Sequence, residues 1–189
     1  MKSIAKNLVL PAMFLAIGLV LPFFIGQIPQ IGQMLLPMHI PVMLCGLICG
    51  WQRGAVVGFV LPLLRSALFG MPAFFPNAVA MAFELLTYGL VIGLVYGLSK
   101  WKCLLSLYKA LVIVMLAGRA VWGIVRWIQL GISGEAFTLQ LFLAGAFTTA
   151  IPGILAQLIL IPAVMLALGR TGLVPFKSGK GSSREDAEV

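Results

Sequence analysis

Charged side chains are scarce in this sequence. Of its 189 residues only 10% are charged and 61% are hydrophobic, whereas soluble proteins carry charge on roughly 25% of their residues. No residue with a full charge lies between Asn7 and Gln52. A soluble core cannot hide this much apolar surface, so the composition excludes an ordinary soluble protein and favours a single membrane-embedded domain.

The sequence also lacks the common nucleotide-binding and metal-binding motifs. It has one histidine, three cysteines and no Gly-Lys-Ser loop that could cradle a phosphate. It has no His-Glu-x-x-His motif and no pair of aspartates, so we expect no metal and no cofactor. Cys45 and Cys49 lie four apart in an apolar run and, like Cys103, are expected to pack as small apolar side chains.

Acidic residues are few, and the net charge is +8. The basic residues stand in short clusters between apolar runs, which is typical of cytoplasmic loops and not of a nucleic-acid surface. The first apolar run has no convincing cleavage site, which favours a retained helix over a signal peptide.

The apolar runs predict an all-α integral membrane protein with six transmembrane helices. Pro152 and Pro162 are expected to kink the last helix. A domain over residues 1–170 is expected to precede a disordered polar tail, 171–189. The six helices are predicted at about 8–25, 39–51, 55–70, 77–98, 107–129 and 141–168.

The basic residues also predict the orientation. With six spans, ten of the thirteen fall on one side, which the positive-inside bias makes cytoplasmic, with both termini inside. An odd number of helices would spoil this agreement. The ten residues are Lys2, Lys6, Arg53, Lys100, Lys102, Lys109, Arg170, Lys177, Lys180 and Arg184.

Arg119 stands near the middle of the fifth predicted helix. A charged residue there costs about 2.5–3.5 kcal/mol on insertion scales, so it should face a polar cavity or a partner. Trp122 and Arg126 follow on the same helix face and could complete a ligand wall. The alternative is a structural ion pair between Arg119 and Glu84.

The fourth predicted helix carries a stripe of four polar or polarizable residues. Asn77, Met81, Glu84 and Tyr88 follow one another at helical spacing and could line one cavity. Arg65, on the third helix, either caps that cavity or extends its guanidinium to the membrane interface. Glu135 belongs to the external loop "GISGEAFT" and is expected to be a solvated charge.

His39, the only histidine, lies between Pro37 and Pro41 in "LPMHIP". These prolines predict a bent connector, because proline removes an N–H donor and biases the preceding residue away from helix. The predicted topology places His39 on the outer side. A neutral imidazole can donate and accept hydrogen bonds, so His39 is either a binding-site residue or an incidental one at the surface.

Two stretches of the sequence carry a family resemblance: "AMFLA", with Ala12 and Ala16 four apart, and residues 36–97. They resemble the substrate-binding S component of energy-coupling factor (ECF) vitamin transporters, and "AMFLA" is similar to the motif by which that family docks its coupling subunit. Small residues at this spacing allow helices to approach closely, and packing within the chain is the alternative. Residues 36–97, from "LPMHIPVMLCG" to "LVYG", resemble the family's order of loop, short helix, glycine turn, helix, loop and glutamate-bearing helix.

The resemblance implies a protein of the bacterial plasma membrane that captures a vitamin or related micronutrient from outside. A transmembrane coupling protein and two ATPases supply the energy, and the S component is thought to topple in the membrane. In that family the loop between helices 1 and 2 acts as a lid over the binding cavity. Here the lid corresponds to about 27–40, and the cavity draws on helices 4 to 6 and residues 71–77. The expected substrate-binding residues are His39, Arg65, Asn77, Met81, Glu84, Tyr88, Arg119, Trp122 and Arg126, and Ala12 and Ala16 are the expected docking residues.

The substrate class is less well defined by the sequence. Three arginines against one buried glutamate slightly favour an anion such as pantothenate. Aromatic residues near the expected cavity mouth would instead suit a flat heterocycle; they are Phe74, Phe75, Trp122 and Trp127. The remaining alternatives are a small membrane enzyme that uses Glu84 and His39, a structural membrane subunit, and a stand-alone carrier or channel.

Overall fold

The computed structural model describes residues 2–25, 37–99, 103–133 and 151–170, which form helices and short turns without a β-strand. Six α-helices are present there, as the sequence predicts. They are α1 (Lys2–Ile25), α2 (His39–Cys49), α3 (Trp51–Phe69), α4 (Val79–Leu98), α5 (Leu104–Ser133) and α6 (Ile151–Arg170).

Helix α4 is the centre of the described bundle. It packs against α2, α3 and α5, while α1 packs on α2 and α3 and α6 packs on α2 and α5. The apolar core lies between these helices and includes Met43, Leu61, Leu85 and Leu111. A residue on the inner face of α4 therefore has neighbours on three other helices.

Three glycines bring the backbones of α2, α3 and α4 into contact. A Cβ atom added to Gly46 of α2 would stand 2.6 Å from the carbonyl oxygen of Gly89 in α4, and one added to Gly89 would collide with the carbonyl of Gly54 in α3. No side chain fits between backbones at this distance. These glycines, which we call the glycine junction, fix how α4 crosses its two neighbours.

Helices α2 and α3 are joined by a single residue. Gly50 has φ 92°, a conformation that side chains disfavour, and the side chain of Arg53 donates a hydrogen bond of 2.8 Å to the carbonyl of Cys49. From the sequence we predicted a turn at 51–54 and a helix that begins near residue 55. That prediction was wrong by four residues, because Gly50 alone makes the turn and "WQRG" is helical.

The segment around His39 also differs from its prediction. Pro37 and Met38 form a turn, but His39 is the first residue of α2 and not part of a bent connector. Pro41 is compatible with the helix because the first turn has no intrahelical N–H bonds to lose. Pro152 lies in the first described turn of α6 and Pro162 lies inside it.

Three of the described helical stretches are long and apolar enough to cross a membrane. They are Phe74–Leu98, Leu104–Ile132 and Ile151–Gly169, and Leu8–Phe24 and His39–Cys49 are shorter apolar helices. Six complete spans and the cytoplasmic termini remain predictions. Most of the expected lid, the loop with Glu135, residues 141–150 and the tail lie outside the described residues.

Candidate functional site

A buried ion pair joins α4 to α5. The Nη1 atom of Arg119 lies 3.0 Å from Oε1 of Glu84, and these residues are only 5% and 2% exposed. Opposite charges this close stabilise each other strongly where water is excluded. The ion pair that the sequence left as an alternative for Arg119 is therefore present, while contact with a ligand remains a prediction.

His39 brings the start of α2 to the same carboxylate. Its Nε2 atom lies 3.4 Å from Oε1 of Glu84, and the residue is fully buried. The ring of Tyr88 meets the imidazole edge to face, with centroids 4.9 Å apart and planes at 80°. We call His39, Glu84, Tyr88 and Arg119 the buried cluster.

The local sequence explains how these side chains meet. Glu84 and Tyr88 are four residues apart, so they share one face of α4. On α5, Gly118 leaves room for the tyrosine, since a Cβ atom at this position would stand 2.5 Å from the Tyr88 ring. The ring therefore packs against the α5 backbone immediately before Arg119.

Several polar atoms of the buried cluster lack hydrogen-bond partners among the described residues. They are Nδ1 and Nε2 of His39, Oε1 of Glu84, and Nε and Nη2 of Arg119; the two close approaches to Oε1 are too poorly aligned to be hydrogen bonds. Leaving such a group unpaired costs about 1–3 kcal/mol. The free Nε–Nη2 edge of Arg119 has the geometry that receives two oxygen acceptors from one ligand.

A second polar group ties α5 to the turn Phe74–Ala78, which precedes α4. Arg126 approaches the side-chain oxygen of Asn77 with its Nη1 atom at 3.5 Å, and Gln129 donates a 3.0 Å hydrogen bond to the carbonyl of Pro76. The sequence predicted Asn77 and Arg126 as site residues but missed Gln129. In the structure these residues hold the 71–78 segment against α5.

Arg65 contacts a different part of the bundle. Its Nη1 atom donates a 2.8 Å hydrogen bond to the carbonyl of Leu19 in α1, and its guanidinium lies 5.0 Å from the ring centroid of Phe23 and 5.9 Å from that of Phe69. None of its described contacts is with the buried cluster. Arg65 thus ties α1 to α3, and its predicted role in ligand binding remains untested.

The other predicted residues occupy varied positions. Met81 is partly buried against the apolar core, and Trp122 is half-buried on α5. Ala12 and Ala16 are both exposed on α1, so their side chains are accessible to another helix. Of the nine predicted substrate-binding residues, the structure brings four into the buried cluster.

Comparison with protein families gives one match, over most of the chain. Residues 6–167 match the family described as "ECF transporter, substrate-specific component". The comparisons with curated proteins and with solved structures give no match. The family match agrees with the apolar helices and with the resemblance noted in the sequence. The chain therefore belongs to the substrate-specific components of ECF transporters, which are membrane transport subunits and not enzymes.

Proposed function

We propose that this protein captures a small polar vitamin or related micronutrient from outside the cell, and that the buried cluster is its binding site. The observation that carries the proposal is that buried N–H groups of Arg119 and His39 have no hydrogen-bond partner among the described residues of an apolar bundle. Buried polar groups are normally hydrogen-bonded. A ligand with oxygen or nitrogen acceptors would satisfy these donors and recover the free energy that they cost.

The charges of the cluster bear on the class of ligand. From the sequence, three arginines favoured an anionic ligand. In the structure Arg119 pairs with Glu84, and Arg65 and Arg126 have other partners. The anionic preference therefore depends on one group, the free Nε–Nη2 edge of Arg119. A carboxylate such as that of pantothenate fits this edge, and so does a carbonyl oxygen beside a ring nitrogen.

Delivery of the ligand requires partners. We propose that the captured molecule passes through a separate coupling module, made of a transmembrane protein and two ATPases, in the cell membrane. The exposed Ala12 and Ala16 of α1 are the proposed contact with that transmembrane protein, because small residues four apart allow another helix to approach closely.

Native mass spectrometry of protein purified gently from its own membrane tests the capture function. We expect a small co-purified mass in the range of vitamins on the wild-type protein. Arg119→Met should lose it, whereas Lys109→Met should keep it. Lys109 is exposed on the same helix, so the control removes the same charge from α5 without changing the cluster.

Three results would contradict the proposal. A wild-type protein that never carries a small molecule would favour a structural subunit. Equal occupancy in both variants would place the ligand elsewhere in the protein. Chemical turnover of the bound molecule by the isolated protein, lost in Glu84→Gln, would favour the enzyme alternative.

A further inference from the structure

A glutamine interrupts the buried face of α6. Gln157 is 1% exposed and is followed at four-residue steps by Ile161 and Met165, which are fully buried. Both polar atoms of its carboxamide, Nε2 and Oε1, lack hydrogen-bond partners among the described residues. The stretch "ILAQLILIP" is otherwise apolar, and the sequence analysis gave this residue no role.

A side chain buried in this way lowers the stability of the folded protein. A buried amide without partners loses its hydrogen bonds to water and gains none in exchange. Leucine or methionine would fill a similar volume without this cost. A group of this kind calls for a partner beyond those that the described residues provide.

The predicted six-span topology puts Gln157 at the level of the buried cluster. Helix α6 packs on α2 and α5, which carry His39 and Arg119. Leu98, at the end of α4, is 14 residues from Glu84, and Arg170, at the end of α6, is 13 residues from Gln157. At about 1.5 Å per residue, both polar groups lie about 20 Å from the same predicted end of the bundle.

The chemistry of the carboxamide indicates what its partner is. It offers N–H donors and a C=O acceptor side by side, whereas the free edge of Arg119 offers only donors. A carboxylate satisfies arginine but leaves Oε1 of Gln157 unpaired. A group that presents N–H and C=O on one edge satisfies both atoms at once, as primary carboxamides, lactams, cyclic ureas and imides do.

We propose that Gln157 binds the substrate through a pair of hydrogen bonds to an amide-type edge of this kind, while Arg119 binds an acceptor group elsewhere on the same molecule. The proposal rests on the capture function proposed above and adds a specificity-determining residue to it. The substrate class is thereby a small molecule with a primary or cyclic amide group.

Two matched pairs of compounds test the substrate class. Biotin and lipoate share a pentanoate side chain, but only biotin has a cyclic urea; nicotinamide and nicotinate differ only in amide against carboxylate. Pantothenate is added as an acyclic secondary amide. Affinities of all five for wild-type protein and Gln157→Met are measured by native mass spectrometry and calorimetry in detergent.

We expect wild-type protein to prefer the amide-type member of at least one pair by 100-fold or more, because a site built for hydrogen bonds rejects analogues that lack them. In Gln157→Met that preference should fall to within about threefold of unity. If Gln157→Met keeps the full preference for the amide-type compound, the proposal is overturned. It is also overturned if wild-type protein binds only compounds without the amide edge, or none of the five.

The melting temperature of the ligand-free protein gives a second readout. Gln157→Met should raise it, because an unpaired amide is removed. The matched control is Gln129→Met, which should lower it, since Gln129 donates to Pro76. A clear fall in Gln157→Met would mean that the amide has a structural partner, and would overturn the proposal.

The two proposals fail in different ways. If wild-type protein binds a small molecule and Gln157→Met binds it equally well, the capture function stands and only the role of Gln157 is lost. If wild-type protein carries no co-purified mass and binds no compound of the panel, both proposals fall.

Discussion

The ion pair between Glu84 and Arg119 should be strongly coupled. Removing one partner of a buried pair leaves an uncompensated charge, and such changes destabilise proteins by about 3–5 kcal/mol. With Glu84 and Arg119 almost fully buried and 3.0 Å apart, we expect Glu84→Gln and Arg119→Met each to cost about 3 kcal/mol or more. If the two losses simply added, they would set the stability expected for the double variant. The double variant should be about 1–3 kcal/mol more stable than this.

The measurement is a double-mutant cycle on ligand-free protein. Unfolding is followed in mixed micelles of dodecylmaltoside and SDS for the wild type, both single variants and the double variant. Lys109→Met serves as the charge-matched control and should change stability by less than about 0.5 kcal/mol, because the side chain is exposed. If the two changes add within about 0.5 kcal/mol, the carboxylate and the guanidinium do not interact as described, and the reasoning is refuted.

Other consequences of the structure can be measured in the same way. In chemical unfolding, Gly89→Ala should cost about 1–3 kcal/mol of stability by forcing α3 and α4 apart. Gly97→Ala, with open space around its Cβ, should be neutral or slightly stabilising. Equal effects of the two changes would contradict the glycine junction. Arg65→Gln should lower the melting temperature by releasing α1 from α3, and an unchanged value would show that its contacts are not stabilising. Leucine at Ala12 or Ala16 should leave ligand binding by the isolated protein intact but stop cellular uptake, and lost binding would argue against docking there.

The helices could be predicted from the sequence because composition and spacing determine them locally. The apolar runs predicted the six helices in order, and the helical spacing of Glu84 and Tyr88 correctly put both on one face of α4. The cost of a charge in an apolar helix predicted that Arg119 needs a partner. The sequence left two partners open, a ligand and Glu84, and the structure shows the pair with Glu84.

The remaining features depend on contacts between helices, which the sequence does not encode locally. The flanking prolines predicted a connector at His39, and its approach to Glu84 depends on the packing of α2 on α4. The contact of Arg65 with Leu19 requires α1 to pass beside α3. Gln157 carries a local signal, a single amide in an apolar helix, but its burial without a partner among the described residues is visible only in the folded protein.

The shortness of α2 has a consequence for the surrounding lipid. Its 11 residues rise about 16 Å, roughly half the thickness of a hydrocarbon core of about 30 Å. Eight of these residues are buried and none is exposed, because α1, α3, α4 and α6 pack around the helix. A bilayer thins around a short helix only where lipid touches that helix. The neighbouring helices therefore shield the short helix from lipid, and α2 does not need to match the thickness of the membrane.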